Sequence, residues 1–209
     1  MKDLIIVCAG SMGREVLQMV KDINRVTPTW NVLGFLSDVP ETLSGYSYEE
    51  KIIGTIQSWN VEPNQYFALA ISDCKCKKSI VKILSSKGAK FATIIHPSAL
   101  VSDTAKIGVG CIIYWNLDLG PDCCVGNYCT VMGTVGHDSS IGDYSTICGN
   151  TSVNGHVSIG TETFVGSNVA IVPNTIIGNN VYIGLGSVVI KNVKDGSRIF
   201  GNPAKVVDF

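Results

Sequence analysis

A six-residue repeat fills the second half of this 209-residue chain, from about position 95 to position 193. Read in sixes from Val101, every unit opens on an aliphatic residue that is often followed by glycine, and its fifth residue is nearly always small or β-branched. The reading has one interruption, at residues 136–139, and the repeat resumes at Ile141. Self-similarity at a fixed short period is the signature of a repeat architecture.

The hexads predict a parallel β-helix. Each hexad would form one short strand and one turn, three hexads would complete a triangular coil, and each coil would bury its apolar edge against the next. The fifteen hexads from Val101 correspond to five coils. At a strand spacing of about 4.8 Å, such a prism is roughly 24 Å tall. The aliphatic openers are expected to point inward, and glycine after the opener suits a corner without room for a Cβ.

The first 95 residues lack the six-residue repeat, and in them strand patterns alternate with helix patterns. The predicted strands are residues 4–8, 32–36, 66–71 and 91–95, and the predicted helices are residues 12–23 and 79–84. Such alternation indicates a small parallel sheet. We therefore expect two domains: a Rossmann-like α/β domain at 1–95 that binds a sugar or nucleotide, and a β-helix domain with a C-terminal tail at 96–209.

Composition narrows the range of partners. The formal net charge is −1, so no basic face for nucleic acid is indicated. The apolar run at residues 4–9 is too short to span a bilayer and leads into a glycine-rich turn rather than a cleavage site. We expect a cytoplasmic protein without membrane insertion.

The segment at residues 9–13 joins the first predicted strand to the first predicted helix. Exposed backbone N–H groups at such a helix start attract phosphate. The dinucleotide fingerprint is incomplete, because Cys8 stands where its first glycine belongs. Asp38 ends the second predicted strand, where it is placed to meet a ribose or a base. Two interpretations stay open: nucleotide binding without hydride chemistry, or a tight turn followed by an ordinary surface aspartate.

The interruption of the repeat contains His137 and Asp138, and an insertion there would push a loop out of the prism wall. Loops on rigid scaffolds often carry catalytic residues. Histidine can take a proton from an amine or a hydroxyl, and a neighbouring carboxylate stabilises the imidazolium form. We predict that this pair is functional, and the alternative is an accidental surface pair.

The other histidines are weaker candidates. His96 lies at the domain junction, and His156 occupies a corner of a later hexad, where a structural role is favoured. A zinc site that combines His137 with His156 is disfavoured, because the two are too far apart for one loop.

Five motifs together resemble the bacterial hexapeptide-repeat sugar acyltransferases, the family of sialic acid O-acetyltransferases and nucleotide amino-sugar N-acetyltransferases. The motifs are a glycine turn followed by REV at 14–16, GFLSD at 34–38, IHPSA at 95–99, GHD at 136–138 and GNPAK at 201–205. The resemblance implies a left-handed β-helix that assembles as a homotrimer, with acetyl-CoA in the cleft between neighbouring prisms.

The resemblance also implies roles for individual residues. His137 would be the general base and Asp138 its orienting partner, in a direct transfer without an acyl-enzyme or a metal. The positions that match the family's acetyl-CoA contacts are Thr146, where well-understood members have histidine, Ser167, Gly184 and Leu185. The positions that match its nucleotide-sugar contacts are Gly10, Ser11, Met12, Ser37, Asp38 and Ser72.

The implied function is acetylation of a sugar or nucleotide-linked amino sugar in surface glycan biosynthesis. The acceptor is either an amino group or a hydroxyl. Met12, which replaces a histidine of the nucleotide-sugar enzymes, slightly favours a hydroxyl or another atypical acceptor. Two other classes stay open: a zinc-dependent β-helix hydratase, and a trimeric scaffold without catalysis. A nucleotidyltransferase is excluded, because 95 residues are too few for its catalytic domain.

Overall fold

The computed structural model describes residues 1–207, and its N-terminal part is a five-stranded parallel sheet. The elements are β1 (Lys2–Val7), α1 (Ser11–Val26), β2 (Trp30–Leu36), a 3₁₀ turn (Pro40–Leu43), β3 (Ile52–Gly54), β4 (Gln65–Leu69), α2 (Cys74–Ser86) and β5 (Lys90–Phe91). The strand order is β3-β2-β1-β4-β5, so β1 lies at the centre with apolar residues buried on both faces. Within residues 1–207, neither helix has the length and apolar content that a membrane span requires.

Three details of this domain differ from the sequence prediction. Helix α2 begins at Cys74, five residues before the predicted start at residue 79. Strand β3 was not predicted, because three residues show too little periodicity to detect. The predicted strand at 91–95 is wrong: Phe91 ends the sheet, and Ile94 opens a new element whose N–H donates to the carbonyl of Cys111. Apolar residues continue through 91–95 because the end of the sheet and the start of the next element both pack against the interior. The sequence pattern therefore does not show where the chain leaves the sheet.

From Ile94 onward the chain forms a triangular left-handed β-helix, here called the prism, which confirms the predicted fold class. Its strands are β6 (Ile94–Ile95), β7 (Leu100–Val101), β8 (Lys106–Ile107), β9 (Ile112–Ile113), β10 (Asp118–Leu119), β11 (Cys124–Val125), β12 (Thr130–Val131), β13 (Thr134–Val135), β14 (Ser140–Ile141), β15 (Thr146–Ile147), β16 (Ser152–Val153), β17 (Ser158–Ile159), β18 (Phe164–Val165), β19 (Ala170–Ile171), β20 (Ile176–Ile177), β21 (Tyr182–Ile183), β22 (Val188–Val189), β23 (Arg198–Phe200) and β24 (Lys205–Val206).

The prism has three faces, each built from every third strand. Face 1 contains β6, β9, β12, β15, β18, β21 and β23 with the antiparallel β24; face 2 contains β7, β10, β13, β16, β19 and β22; face 3 contains β8, β11, β14, β17 and β20. The aliphatic openers of the predicted hexads, such as Val131 and Ile141, are buried inside, as predicted. The three edges are named corner 1–2, corner 2–3 and corner 3–1 after the faces that meet there.

The break in the repeat lies earlier than the sequence reading placed it. Val131 and Val135 both point into the prism, so the turn between β12 and β13 is two residues shorter than a full turn. Strands paired across this turn are 16 residues apart, as for Leu119 and Val135, whereas the next coil returns to 18, as for Thr134 and Ser152. The predicted insertion and protruding loop at 136–139 are therefore wrong.

The shortened turn has two consequences for the surface. It leaves a notch of about 240 Å³ in corner 1–2, lined by Asn116, Met132, Gly133 and Asn150 among others. It also makes residues 135–140 an ordinary hexad, with its turn at corner 2–3.

Corner 2–3 repeats one turn geometry in successive coils. Asp122, Asp138, His156 and Asn174 occupy the same turn position, all with left-handed φ between 56° and 62°. Aspartate, asparagine and histidine tolerate this conformation better than most residues with a side chain. Side chains at equivalent positions in adjacent coils therefore stack along this edge.

Lys77 of α2 links the N-terminal domain to face 1 of the prism through hydrogen bonds. Its side chain is fully buried, and Nζ donates to the hydroxyl oxygens of Thr130 at 3.1 Å and Thr146 at 3.0 Å, and to the Ser145 carbonyl at 3.3 Å. Burial lowers the pKa of this ammonium below its ordinary 10.5, because the charged form loses its hydration. The uncharged oxygens of Thr130, Ser145 and Thr146 thus replace water as hydrogen-bond acceptors for the Lys77 ammonium.

We expect Lys77→Met to change how stability depends on pH. Between the lowered folded pKa and the unfolded value, the unfolded chain binds more protons at position 77, so this group makes the wild type more stable as the pH rises. The gap in melting temperature between wild type and Lys77→Met should therefore move in favour of the wild type from pH 7.5 to pH 9.5. Lys82→Met, an exposed change on the same helix, is the control. A gap that stays constant with pH would contradict this.

Candidate active site

His137 and Asp138 lie together in the turn between β13 and β14, on corner 2–3. Nδ1 of His137 is 2.7 Å from Oδ2 of Asp138, and the two side chains are 57% and 46% exposed. The hydrogen bond from His137, with a further contribution from the positive field of His156, lowers the pKa of Asp138 below its ordinary 3.8. The carboxylate is therefore ionised at neutral pH and can only accept, so Nδ1 donates. In a neutral imidazole, Nε2 then carries the free lone pair.

His156 belongs to the same cluster, which the sequence reading did not foresee. Its Nε2 is 3.7 Å from Oδ2 of Asp138, and its ring lies perpendicular to that of His137 with centroids 5.1 Å apart. The objection that residues 137 and 156 are too far apart for one loop is wrong, because adjacent coils bring them together. Asp138 and His156 are 18 residues apart, the length of one full coil, and that spacing was the available signal.

Ligating atoms of His137, Asp138 and His156 all lie within 4.8 Å of one another, a grouping that could in principle hold a metal ion. Two ligands of one tetrahedral zinc, with bonds of about 2.1 Å, sit about 3.4 Å apart. The 2.7 Å separation between His137 Nδ1 and Asp138 Oδ2 instead fits a charge-assisted hydrogen bond. The arrangement suits a base held by a carboxylate.

The residues predicted to contact acetyl-CoA fall into two groups. Ser167 and Leu185 lie 18 residues apart in turns on corner 1–2, and Leu185 is 75% exposed. Neither residue is on the corner that carries His137. One chain therefore does not bring these two predicted contacts onto the same edge as the histidine.

The other two residues predicted to contact acetyl-CoA are buried in this structure. Thr146 is fully buried on face 1, where its hydroxyl donates to the Ser72 carbonyl and accepts from Lys77. Gly184 is buried beneath the ring of Phe200, which a Cβ would overlap. Both positions are occupied by internal packing, which the linear match to the family could not reveal.

The residues predicted to contact a nucleotide-sugar meet at the carboxyl edge of the sheet. Gly10, Ser11 and Met12 follow β1 and begin α1, Ser37 and Asp38 follow β2, and Ser72 follows β4. The Ser37 hydroxyl is buried and donates to the Val39 carbonyl, and Asp38 accepts from the N–H of Ile56 at 2.8 Å. These two side chains shape the edge, while Ser11 and Ser72 are exposed there.

Two grooves open from this edge. One, of about 520 Å³, starts at Ser11 and runs past Arg14 and Tyr46 to Trp115. The Arg14 guanidinium lies 3.8 Å from the centre of the Tyr46 ring. The other groove, also about 520 Å³, starts at Ser72 and is lined by Lys75, Tyr182 and Arg198 among others. Sequence reasoning missed Tyr46 and Tyr182, because a single aromatic residue carries no pattern.

Comparison with known proteins agrees with this architecture. Residues 3–84 match the model of the PglD N-terminal domain. The chain is 31% identical over 156 residues to GDP-perosamine N-acetyltransferase of Escherichia coli O157:H7, covering 72% of this chain and 69% of that protein. It is 29% identical over 117 residues to UDP-N-acetylbacillosamine N-acetyltransferase of Bacillus subtilis strain 168, covering 54% and 51%.

A solved structure extends the likeness to the whole fold. The acetyltransferase domain of PglB from Neisseria gonorrhoeae FA1090, in complex with acetyl coenzyme A, superposes with a TM-score of 0.90 at 25% identity over 99% of both chains. The shared two-domain fold and the match over most of a curated relative establish that this chain belongs to the hexapeptide-repeat sugar N-acetyltransferase family.

Proposed function

We propose that this protein transfers the acetyl group of acetyl-CoA to the amino group of a nucleotide-linked amino sugar, in the synthesis of a surface glycan. The observation that carries the proposal is the 2.7 Å bond from His137 Nδ1 to an ionised Asp138, which leaves Nε2 to act as a base. The two curated relatives are named for acetylation of amino sugars, so we prefer an amino acceptor over the hydroxyl that Met12 slightly favoured.

The proposed chemistry is a direct transfer. The acceptor amine attacks the thioester carbonyl, and His137 Nε2 takes the proton that the nitrogen loses as the new N–C bond forms. Collapse of the tetrahedral intermediate breaks the C–S bond, and the imidazolium returns the proton to the departing thiolate of CoA. Asp138 stabilises the imidazolium while it exists.

We place the acetyl-CoA site between neighbouring subunits of a homotrimer. Ser167 and Leu185 lie on corner 1–2, whereas His137 lies on corner 2–3. We therefore propose that one subunit contributes Ser167 and Leu185 to an acetyl-CoA site and that the neighbouring subunit contributes His137. The notch in corner 1–2 lies in the same coil as His137, so in the proposed trimer the notch of one subunit would lie beside His137 of the next subunit. There it would offer room for the acetyl end of the cofactor and the acceptor amine.

We assign the nucleotide part of the acceptor to the carboxyl edge of the sheet. A diphosphate carries negative charge, and the exposed start of α1 at Ser11 with the guanidinium of Arg14 supplies N–H donors and positive charge. Tyr46, which stacks on Arg14, offers a ring for a base.

The test is release of free CoA from acetyl-CoA in the presence of single acceptors. The panel contains GDP-linked and UDP-linked amino sugars, the same sugars with a hydroxyl in place of the amine, and free sialic acid. We expect the highest turnover with a nucleotide-linked amino sugar, and much lower turnover with its hydroxyl analogue, which is the weaker nucleophile.

A chelator control separates this proposal from the zinc hydratase. EDTA should leave the turnover unchanged, since no step uses a metal. Loss of turnover after chelation, restored by zinc, would contradict direct transfer. Turnover on free sialic acid alone would replace the amine by a hydroxyl acceptor, and turnover on no member of the panel would favour a scaffold.

A further inference from the structure

We propose that Gly155 and His156, in the coil next to that of His137, are positioning residues for the base. The proposal rests on the function of His137 given above. One contact from each residue surrounds the His137 ring on two sides, and the hydrogen bond to Asp138 holds it on a third. Nothing in the sequence motifs marks residues 155 and 156, which enter the site only through the stacking of coils.

Gly155 faces the reactive edge of the His137 ring. A Cβ built on Gly155 would lie 2.6 Å from both Cε1 and Nε2 of His137, far inside van der Waals contact. The ring therefore occupies the space that any larger residue at position 155 would fill. The glycine is not required by its backbone, because its φ lies outside the left-handed region. Its function here is to leave room for the imidazole.

His156 closes a second side of the ring. The two imidazoles meet edge to face at 90°, with centroids 5.1 Å apart, and His156 is also 3.7 Å from the carboxylate that holds His137. Such a T-shaped contact restricts rotation about the His137 side-chain bonds. The titratable groups that face His156 in this corner are Asp138 and His137.

Backbone bonds fix the two turns to each other. The His156 N–H donates to the His137 carbonyl at 3.0 Å. Ser139, which is buried, donates from its hydroxyl to the Asn154 carbonyl at 2.8 Å and accepts from the Val157 N–H at 3.1 Å. Residues 154–157 therefore cannot shift away from the histidine without breaking these bonds. A rigid second wall of this kind holds Nε2 in one place for the proton transfer.

The first experiment changes His156 without a backbone cost. His156→Asn places a residue that accepts left-handed φ, as Asn174 does at the same position one coil further on. We expect kcat to fall about tenfold, because His137 loses the ring contact that limits its rotation, with an unchanged KM for acetyl-CoA. His156→Ala should behave alike. Asn174→Ala, which imposes the same left-handed alanine away from His137, should keep wild-type kcat.

The second experiment fills the space beside the ring. Gly155→Ala should lower kcat about 100-fold, because a displacement of about 1 Å is enough to misplace a catalytic base. The melting temperature should stay close to that of the wild type, since the overlap is with the exposed end of a side chain that can rotate. If the alanine variant does not fold, His156→Asn still decides the question.

A double-variant cycle distinguishes positioning from general damage. Combined with His137→Ala, neither His156→Asn nor Gly155→Ala should reduce the residual turnover further, because the group that they position is gone. The positioning role is overturned if His137→Ala abolishes turnover while His156→Asn and Gly155→Ala both keep wild-type kcat. It is also overturned if the losses in kcat of the single variants add up in the double variants. In both cases the proposed function stands. If His137→Ala itself leaves turnover unchanged, the proposed function fails first.

Discussion

Replacement of His137 by alanine is expected to lower kcat about 1000-fold on the preferred acceptor. General bases contribute about 10²–10⁴ to the rates of reactions that they assist. The KM for acetyl-CoA should change less than about twofold, because the predicted cofactor contacts Ser167 and Leu185 lie on a different corner of the prism. Steady-state kinetics on purified variants at saturating acetyl-CoA measure both quantities.

Two controls show that the loss comes from the missing base. The side chain of His137 is 57% exposed, so its removal should leave the melting temperature unchanged. Added imidazole should restore part of the lost rate, since it can enter the space that the ring vacates. A His137→Ala enzyme that keeps more than half of the wild-type kcat would remove His137 from the mechanism.

Asp138→Asn should have the second largest effect, a fall in kcat of about 100-fold or more. The amide keeps the shape of the side chain and suits the left-handed φ of 56°. It can, however, donate to Nδ1 of His137, which moves the ring proton to Nε2 and blocks proton abstraction, and it cannot stabilise the imidazolium. The pKa of Asp138 lies below 3.8, so protonation of this carboxylate should not limit the wild-type rate above about pH 5.

Asp122→Asn is the matched control for this change. Asp122 occupies the same turn position one coil earlier, is exposed and has φ 59°, but it does not bond a histidine. We expect this variant to keep wild-type kcat and stability. Equal losses for Asp122→Asn and Asp138→Asn would mean that the corner, rather than the carboxylate beside His137, is what matters.

The repeat was sufficient to predict the prism, because each buried opener repeats the same local environment every six residues. It was not sufficient to place the break. Val131 and Val135 are both aliphatic openers, and a reading in strict sixes passes over the second one and moves the irregularity to 136–139. His137 and Asp138, which lie in the misplaced break, belong to an ordinary hexad whose turn lies at corner 2–3.

The candidate site was only partly predictable for a related reason. His137 and Asp138 are adjacent in sequence, so a motif can show them. His156 joins them through the 18-residue length of a coil, which becomes visible only when the register is known. Thr146 and Gly184 match family positions along the chain, yet Lys77 and Phe200 cover them in three dimensions. Burial by another element leaves no mark in a local sequence pattern.

The most direct test of direct transfer is to follow the acetyl group by mass spectrometry. Wild-type protein is incubated with acetyl-CoA, alone and with a GDP-linked or UDP-linked amino sugar. We predict an acetylated sugar and free CoA in equal amounts when the acceptor is present, and no acetyl group on the protein in either case. An acetylated protein, or CoA release without an acetylated sugar, would contradict the account.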